Sequence, residues 1–282
     1  MDRGILLLLA ASGIWSTTPI FAKVAYAQGM SPMWLIELRL LIAFLLFLML
    51  RGNRLGEVKS NLGNLALLGV FGLAANYFFY HLGLAYTTAS AAQLLESLAP
   101  VFVLLLVYAM REEDIGRIKA AGVFITALGS MIILYSHYPF SHLVLGDAME
   151  LLAALTWGYF IVQGSRVMHS VTPLSSLTFL FGFSSLLFLP LSLSTPLNMS
   201  PNALLIAGTM GFLHTFLAYL LYFQGIKQTN PTSAGVIFAL SPVMTMILEG
   251  RILGSTSAPI FYLGGAVAIA GVITVITQRK PG

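Results

Sequence analysis

Ten runs of mainly apolar residues follow one another along this chain, each close to the roughly 17 to 25 residues that an α-helix needs to cross a bilayer. They fall at about 4–25, 33–50, 62–84, 88–109, 118–136, 146–167, 173–194, 203–226, 232–250 and 258–277. The connections between them are too short to fold into a soluble domain, so the membrane part is read as the whole protein. The runs are continuous rather than alternating, which selects helices over a barrel, because a spanning helix satisfies its own backbone hydrogen bonds. With 58% of residues hydrophobic and only 9% charged, against about 25% charged in a soluble domain, there is too little charge to cover a soluble surface. The first run, GILLLLAASGIW after Asp2 and Arg3, is read as a retained first span rather than a signal peptide, because similar runs recur to the C-terminus.

Charge sets the expected orientation. Under a ten-span reading, Arg3, Arg51, Arg54, Lys59, Arg111, Arg117, Lys119, Arg166, Lys227, Arg279 and Lys280 share one side, Lys23 and Arg251 the other, and Arg39 lies within a span. The positive-inside rule then places both termini in the cytoplasm, in a multi-pass plasma (cytoplasmic) membrane protein. The basic residues are scattered rather than clustered with aromatics, so no nucleic-acid partner is expected. The chain has no cysteine, which excludes disulfides, thiolate catalysis and cysteine metal sites.

The sequence repeats itself at one offset, 157 − 15 = 142, which pairs Trp15 with Trp157, Gly69 with Gly211, Tyr77 with Tyr219, Tyr80 with Tyr222 and Gly83 with Gly225. It continues through Thr87 and Thr229, Leu98 and Leu240, Pro100 and Pro242, Gly122 and Gly264, and Gly129 and Gly271. Each copy holds five spans, an odd number, so the second copy lies inverted in the membrane. The loop charges agree: Arg51 to Lys59 and Arg111 to Lys119 align with 193–201 and 253–261, which contain no Lys or Arg. The expected fold is therefore all-α integral membrane, ten transmembrane helices as two inverted five-helix repeats, residues 1–139 and 140–282. Pro100 and Pro242 lie inside predicted spans four and nine and are expected to kink or break them.

This pattern resembles the drug/metabolite transporter superfamily, specifically its EamA-type ten-helix members. The resemblance is carried by the Trp segments SGIWSTTPIFAK and LTWGYFIVQ, by ELRLLIAF in span two, and by the Gly-to-Pro segments joining spans three to four and eight to nine. MREEDIGRIKAAGVFITALG places Glu113 nine residues before Gly122, while Ser255 stands at the equivalent place in the second copy. The resemblance implies a small-metabolite carrier, often an exporter of amino acids or related compounds. It also implies a central cavity lined mainly by spans one, three, four, six, eight and nine.

Ionisable groups inside a membrane are costly and usually face a cavity or a partner. Gln93, Glu96, Ser97 and Pro100 share one helix face, and Glu96, whose repeat counterpart is Phe238, is a candidate to bind an ammonium or to carry a proton. Tyr77 and Tyr80, with His81 beside them, mirrored by Tyr219 and Tyr222, with His214 five residues before Tyr219, suit a substrate cavity through stacking and cation–π attraction. Trp15 and Trp157 are read as packing the two bundles or walling that cavity. Together Trp15, Tyr77, Tyr80, His81, Gln93, Glu96, Trp157, His214, Tyr219 and Tyr222 form the expected substrate site, with no catalytic residue, cofactor or metal.

The remaining charged and polar groups are read as structural or exposed. Glu37 and Arg39 are expected to snorkel at the end of span two, Glu150 and Asp147 to lie at the entrance or cap a helix, and His137 and His142 to be solvated. The expected partners are a small-molecule substrate and the lipid bilayer, with protons as a candidate coupling ion.

The function expected is secondary-active transport, export or exchange, of small metabolites such as amino acids or related amines, by alternating access around a midplane cavity. The alternative is a channel or facilitator. A polytopic enzyme ranks third, because HExxH, GxSxG and P-loop patterns are missing and GFSSLL, with Gly182 and Ser184, lacks the second glycine.

Overall fold

The computed structural model describes residues 3–50, 55–87, 89–111, 115–137, 145–245 and 259–277. Glu113, Ser255, His142, Arg51, Arg54, Arg251, Arg279 and Lys280, the His137 side chain and the expected boundary between the repeats lie outside the described residues. The described residues form ten helical rods and one short helix, Leu55–Ser60, before the third. We number the rods α1 (Arg3–Ala27), α2 (Pro32–Leu50), α3 (Leu62–Tyr86), α4 (Ala89–Glu96 continuing as Ala99–Met110), α5 (Arg117–His137), α6 (Leu145–Val167), α7 (Pro173–Leu193), α8 (Pro201–Ile226), α9 (Pro231–Thr245) and α10 (Pro259–Ile276). Among the described residues, seven helices are long and apolar enough to cross a membrane, with Pro231–Thr245 and Tyr262–Ile276 as shorter apolar helices. The outward faces carry large apolar side chains such as Leu45, Met49, Leu186, Leu205 and Ile273, the exterior of a lipid-embedded bundle.

Prolines mark helix starts, where the missing N–H costs nothing. Pro173, Pro201 and Pro231 each open a helix, and the Ser200 and Asn230 side chains cap the last two by accepting from Ala203 N (3.1 Å) and Ser233 N (2.9 Å). Gly29, at φ +89°, closes the turn between α1 and α2.

The helices are irregular at matching places in both copies. A π-helical stretch, Leu68–Ala74, interrupts α3, and its counterpart at the 142-residue offset, Met210–Leu217, interrupts α8. α4 breaks at Ser97–Leu98 and α9 at Ala239–Leu240, again 142 residues apart. The break precedes Pro100, which opens the second half of α4, so this proline sits in a helical first turn rather than at an interior kink. α1 also breaks, at Ser16–Thr17 ahead of Pro19, whereas its counterpart α6 runs unbroken. Carbonyls at these breaks are served by hydroxyls across the α1–α9 contact: Ser12 Oγ donates to Ile237 O (3.2 Å) and Thr245 Oγ1 to Ser16 O (2.6 Å). Non-helical backbone at membrane depth is tolerated where protein satisfies it in this way.

Contacts between the halves repeat under the same offset. Gly4 of α1 faces Gly225 of α8, and Gly146 of α6 faces Gly83 of α3; each pair is the other's counterpart, and each lets backbones meet where a Cβ would be crowded. α5 and α10 cross antiparallel through Gly122 against Gly271 and Gly129 against Gly264. The loops correspond by element, though not residue for residue. At one end Ser170 Oγ donates to Asn61 Oδ1 (3.1 Å), joining the α6–α7 turn to the α2–α3 connection; at the other, Ser200 Oγ donates to Gln28 Oε1 (3.0 Å), joining the α7–α8 connection to the α1–α2 turn. Counterpart contacts at opposite ends of the bundle are the signature of an inverted repeat.

Candidate functional site

A two-fold axis relating inverted halves lies in the membrane plane, so residues that touch their own counterparts mark the midplane. Trp15 and Trp157 do so, with ring centroids 5.2 Å apart and planes at 89°, and Tyr77 and Tyr219 do so at 6.4 Å. The two tryptophans thus pack against each other across the halves, beside the axis.

The space there is a cavity lined by Trp15, Thr18, Arg39, Asn76, Tyr77, Tyr80, His81, Gln93, Glu96, Trp157, Tyr219 and Phe238. Helices α1, α3, α4, α6, α8 and α9 contribute, and α2 joins them through Arg39. Two expected residues stand elsewhere. Tyr222 is buried behind the wall against Trp15 and Trp157 (5.3 and 5.5 Å). His214 lies in the π-helical stretch of α8, where its backbone carbonyl accepts from Trp15 Nε1 (2.8 Å). Thr17 Oγ1 donates to Ile14 O (2.8 Å) and so accepts from His214 Nε2–H (2.7 Å).

Arg39 is the main correction to the sequence reading. It does not snorkel; it is 3% exposed and its guanidinium points inward. Nε–H donates to Thr215 Oγ1 (3.0 Å), Nη1–H to His81 Nε2 (2.8 Å) and Nη2–H to Tyr77 Oη (3.4 Å), while the charge sits 5.0 Å from the Tyr77 ring centroid. Arginine offers only donors, so His81 Nε2 accepts, and the remaining ring proton sits on Nδ1, donated to Tyr26 Oη (2.6 Å). Every one of these partners of Arg39 is neutral. Glu37 is likewise buried rather than at the water interface, with Oε1 accepting from Ser185 Oγ (2.7 Å).

Glu96 is 6% exposed and lines the cavity. Its Oε1 accepts from Asn76 Nδ2 (3.2 Å), which also donates to Ala153 O (3.0 Å). The break that follows Glu96 leaves this carboxylate at the end of a half-helix facing the cavity. Glu150 is a correction too: it is fully enclosed rather than exposed at an entrance, while Asp147, also enclosed, lies in the first turn of α6. Thr87 Oγ1 donates to Asp147 Oδ1 (2.7 Å) and Lys23 Nζ donates to Thr87 O (2.6 Å).

Four lining residues were outside the expected site: Thr18, Arg39, Asn76 and Phe238. Asn76 was readable, since it stands four residues before Tyr80 on the same helix face. The lining is also sorted by repeat. Thr18, Arg39, Asn76, His81, Gln93 and Glu96 belong to the first copy; their counterparts at the offset of 142 are Phe160, Phe181, Ala218, Phe223, Gly235 and Phe238. One half supplies charge and hydrogen-bonding groups, and the other an apolar, largely aromatic wall.

Residues 2–135 and 144–277 each match the EamA-like transporter family. Among curated relatives, the uncharacterized transporter YyaM of Bacillus subtilis is 25% identical over 88% of this chain and 84% of its own length. An uncharacterized transporter of Clostridium kluyveri is 24% identical over 99% and 95%, and the uncharacterized transporter YdfC of B. subtilis 28% identical over 92% and 86%. A crystal structure superposes with TM-score 0.77 at 17% identity, covering 96% of this chain and 95% of that one.

Proposed function

The chain belongs to the EamA-like transporter family, a transporter and not an enzyme, and from that premise we propose that it carries small zwitterions of the amino-acid type with an apolar side chain. The polarised cavity supports this reading. Among the described residues Arg39 hydrogen-bonds only to neutral partners, and it lines the cavity, which suits a carboxylate. Glu96 suits the ammonium. Trp157, Tyr219 and Phe238 receive the apolar remainder, and the Trp157 indole N–H, without a partner among the described residues, is a further donor for the carboxylate.

The mechanism we infer is alternating access. Two inverted halves related by an axis through the cavity can exchange conformations and so present one site to either side. The helix breaks and π-helical stretches beside the cavity are where the backbone can flex. With the termini cytoplasmic, the chain is an exporter or exchanger of the plasma membrane, in two repeats joined near residue 140.

The test is flux of a labelled panel of neutral amino acids, amines and carboxylates into vesicles containing the purified protein. A carrier saturates, and unlabelled substrate on the far side accelerates uptake; a channel shows neither. Zwitterions should compete better than either half-molecule. Glu96→Gln should raise the half-saturation concentration for ammonium-bearing substrates about 10- to 100-fold, the loss of a charge-assisted bond. Uptake by Glu96→Gln equal to wild type would assign Glu96 to structure and shift recognition to the paired tyrosines.

A further inference from the structure

Behind the cavity wall stands a carboxylate that the site described above does not use. Glu150, on α6, is 0% exposed, and neither of its oxygens has a hydrogen-bond partner among the described residues. It lies against Gly83 of α3, where an added Cβ would sit 2.6 Å from Oε1 and 3.0 Å from Cγ. Its counterpart in the first repeat is Leu8 (150 − 142 = 8), which fills the equivalent slot against Gly225, 2.9 Å from an added Cβ. The fold therefore accepts a plain aliphatic side chain in this slot, and packing alone does not ask for an acid.

The charged and titratable groups facing Glu150 come from three neighbouring helices and its own: Glu96 of α4, Tyr80 of α3, Lys23 and Tyr26 of α1, and Asp147 of α6. Tyr80 lines the cavity, and its hydroxyl is also buried without a hydrogen-bond partner among the described residues. Two unpartnered polar groups thus stand between the substrate cavity and the Lys23–Thr87–Asp147 cluster near the end of the bundle where α6 begins. An enclosed carboxylate without donors is strongly disfavoured unless a proton or a cation neutralises it. The cationic side chain facing it, Lys23, donates to Thr87 O (2.6 Å) rather than to Glu150, which favours a proton as the neutralising charge on Glu150.

We propose that Glu150 is the proton-binding site that couples transport to a pH gradient, acting on substrate through Glu96; this rests on the carrier reading above. Two carboxylates in one low-dielectric region resist being ionised together. When a substrate ammonium pairs with Glu96 the repulsion is relieved, Glu150 releases its proton, and the resulting carboxylate faces Lys23. When the proton returns to Glu150 from outside, the balance reverses and the ammonium is released. Ammonium and proton occupy the pair in turn, so substrate moves one way as one proton moves the other.

The experiment follows labelled substrate and internal pH together in vesicles containing the full chain, for wild type, Glu150→Gln, Glu150→Leu and Tyr80→Phe. Wild type should move protons opposite to substrate, and Glu150→Gln should lower the proton-to-substrate ratio at least tenfold. Glu150→Leu, which reproduces the residue of the equivalent slot, gives the same readout if the Gln variant does not purify as a monodisperse protein. An unchanged ratio in either folded variant overturns the proposal, and an unchanged ratio with slowed proton movement in Tyr80→Phe supports it. Saturable wild-type flux without protons overturns this inference while leaving the carrier intact. Absence of flux for every panel member overturns the carrier's substrate reading, and this inference with it.

Discussion

Arg39 keeps a full charge inside a membrane bundle by donating three hydrogen bonds to neutral groups and resting over the Tyr77 ring. A planar fork does this; a point-charge ammonium cannot. Arg39→Lys should therefore keep the charge but weaken carboxylate-bearing substrates by at least about tenfold, roughly 1.4 kcal/mol, with little change for simple amines, read from half-saturation constants across the panel. An equal loss for both classes would make Arg39 a structural clamp. Sequence reasoning placed the arginine on the correct helix but on the wrong path, because the position of a long side chain within a span does not say whether it climbs to water or turns inward. The answer depends on which partners the other half brings. Thr215 comes from 176 residues away, and no local pattern reports it. Glu150 was misread for the same reason: proximity to a predicted helix start suggested a cap, whereas the opposing glycine at position 83 draws it into the interior.

Between elements, close approach rests on glycine, and the consequences differ by site. Gly129 of α5 packs directly on the backbone of α10 at Gly264 and Ala268, neighbours that cannot rotate away. Gly129→Ala should lower stability by about 1 to 3 kcal/mol through overpacking, seen as a fall in the thermal midpoint of the solubilised protein. Gly63→Ala, in the first turn of α3 with nothing within 4 Å of the added methyl, should be neutral or stabilise by about 0.4 to 1 kcal/mol. If both behave alike, the α5–α10 crossing does not hold the halves together. The glycines were legible because they recur at one offset, and so were the helices. The matched π-helical stretches were not: a widened turn is set by tertiary fit, such as the Arg39-bound Thr215 hydroxyl donating to Met210 O five residues back, and no composition signal marks it. The α1 break at Ser16–Thr17 lies in the same class, since its counterpart sequence in α6 stays helical.

At the scale of the whole molecule, two halves of one design carry different chemistry, polar on one side of the axis and aromatic on the other. The two halves are inverted, and inversion makes a prediction that can be read without any substrate. The chain has no cysteine, so single cysteines report position cleanly. Ser60 and Ser170 are exposed at the end of the bundle where the α2–α3 connection meets the α6–α7 turn, and Ser194 and Asn198 are exposed at the other end. With basic loops on the cytoplasmic side, an impermeant maleimide should modify Ser194→Cys and Asn198→Cys in intact cells, but Ser60→Cys and Ser170→Cys only after permeabilisation. The reverse pattern would invert the orientation while keeping the fold. Labelling of all four from one side would contradict the inverted architecture itself, because positions 60 and 170 on one end and 194 and 198 on the other are separated by odd numbers of spans. The agreement of loop charge and glycine pairs on a single offset, with matching contacts between corresponding loops at the two ends, makes that last outcome the one that the physics of the chain opposes most strongly.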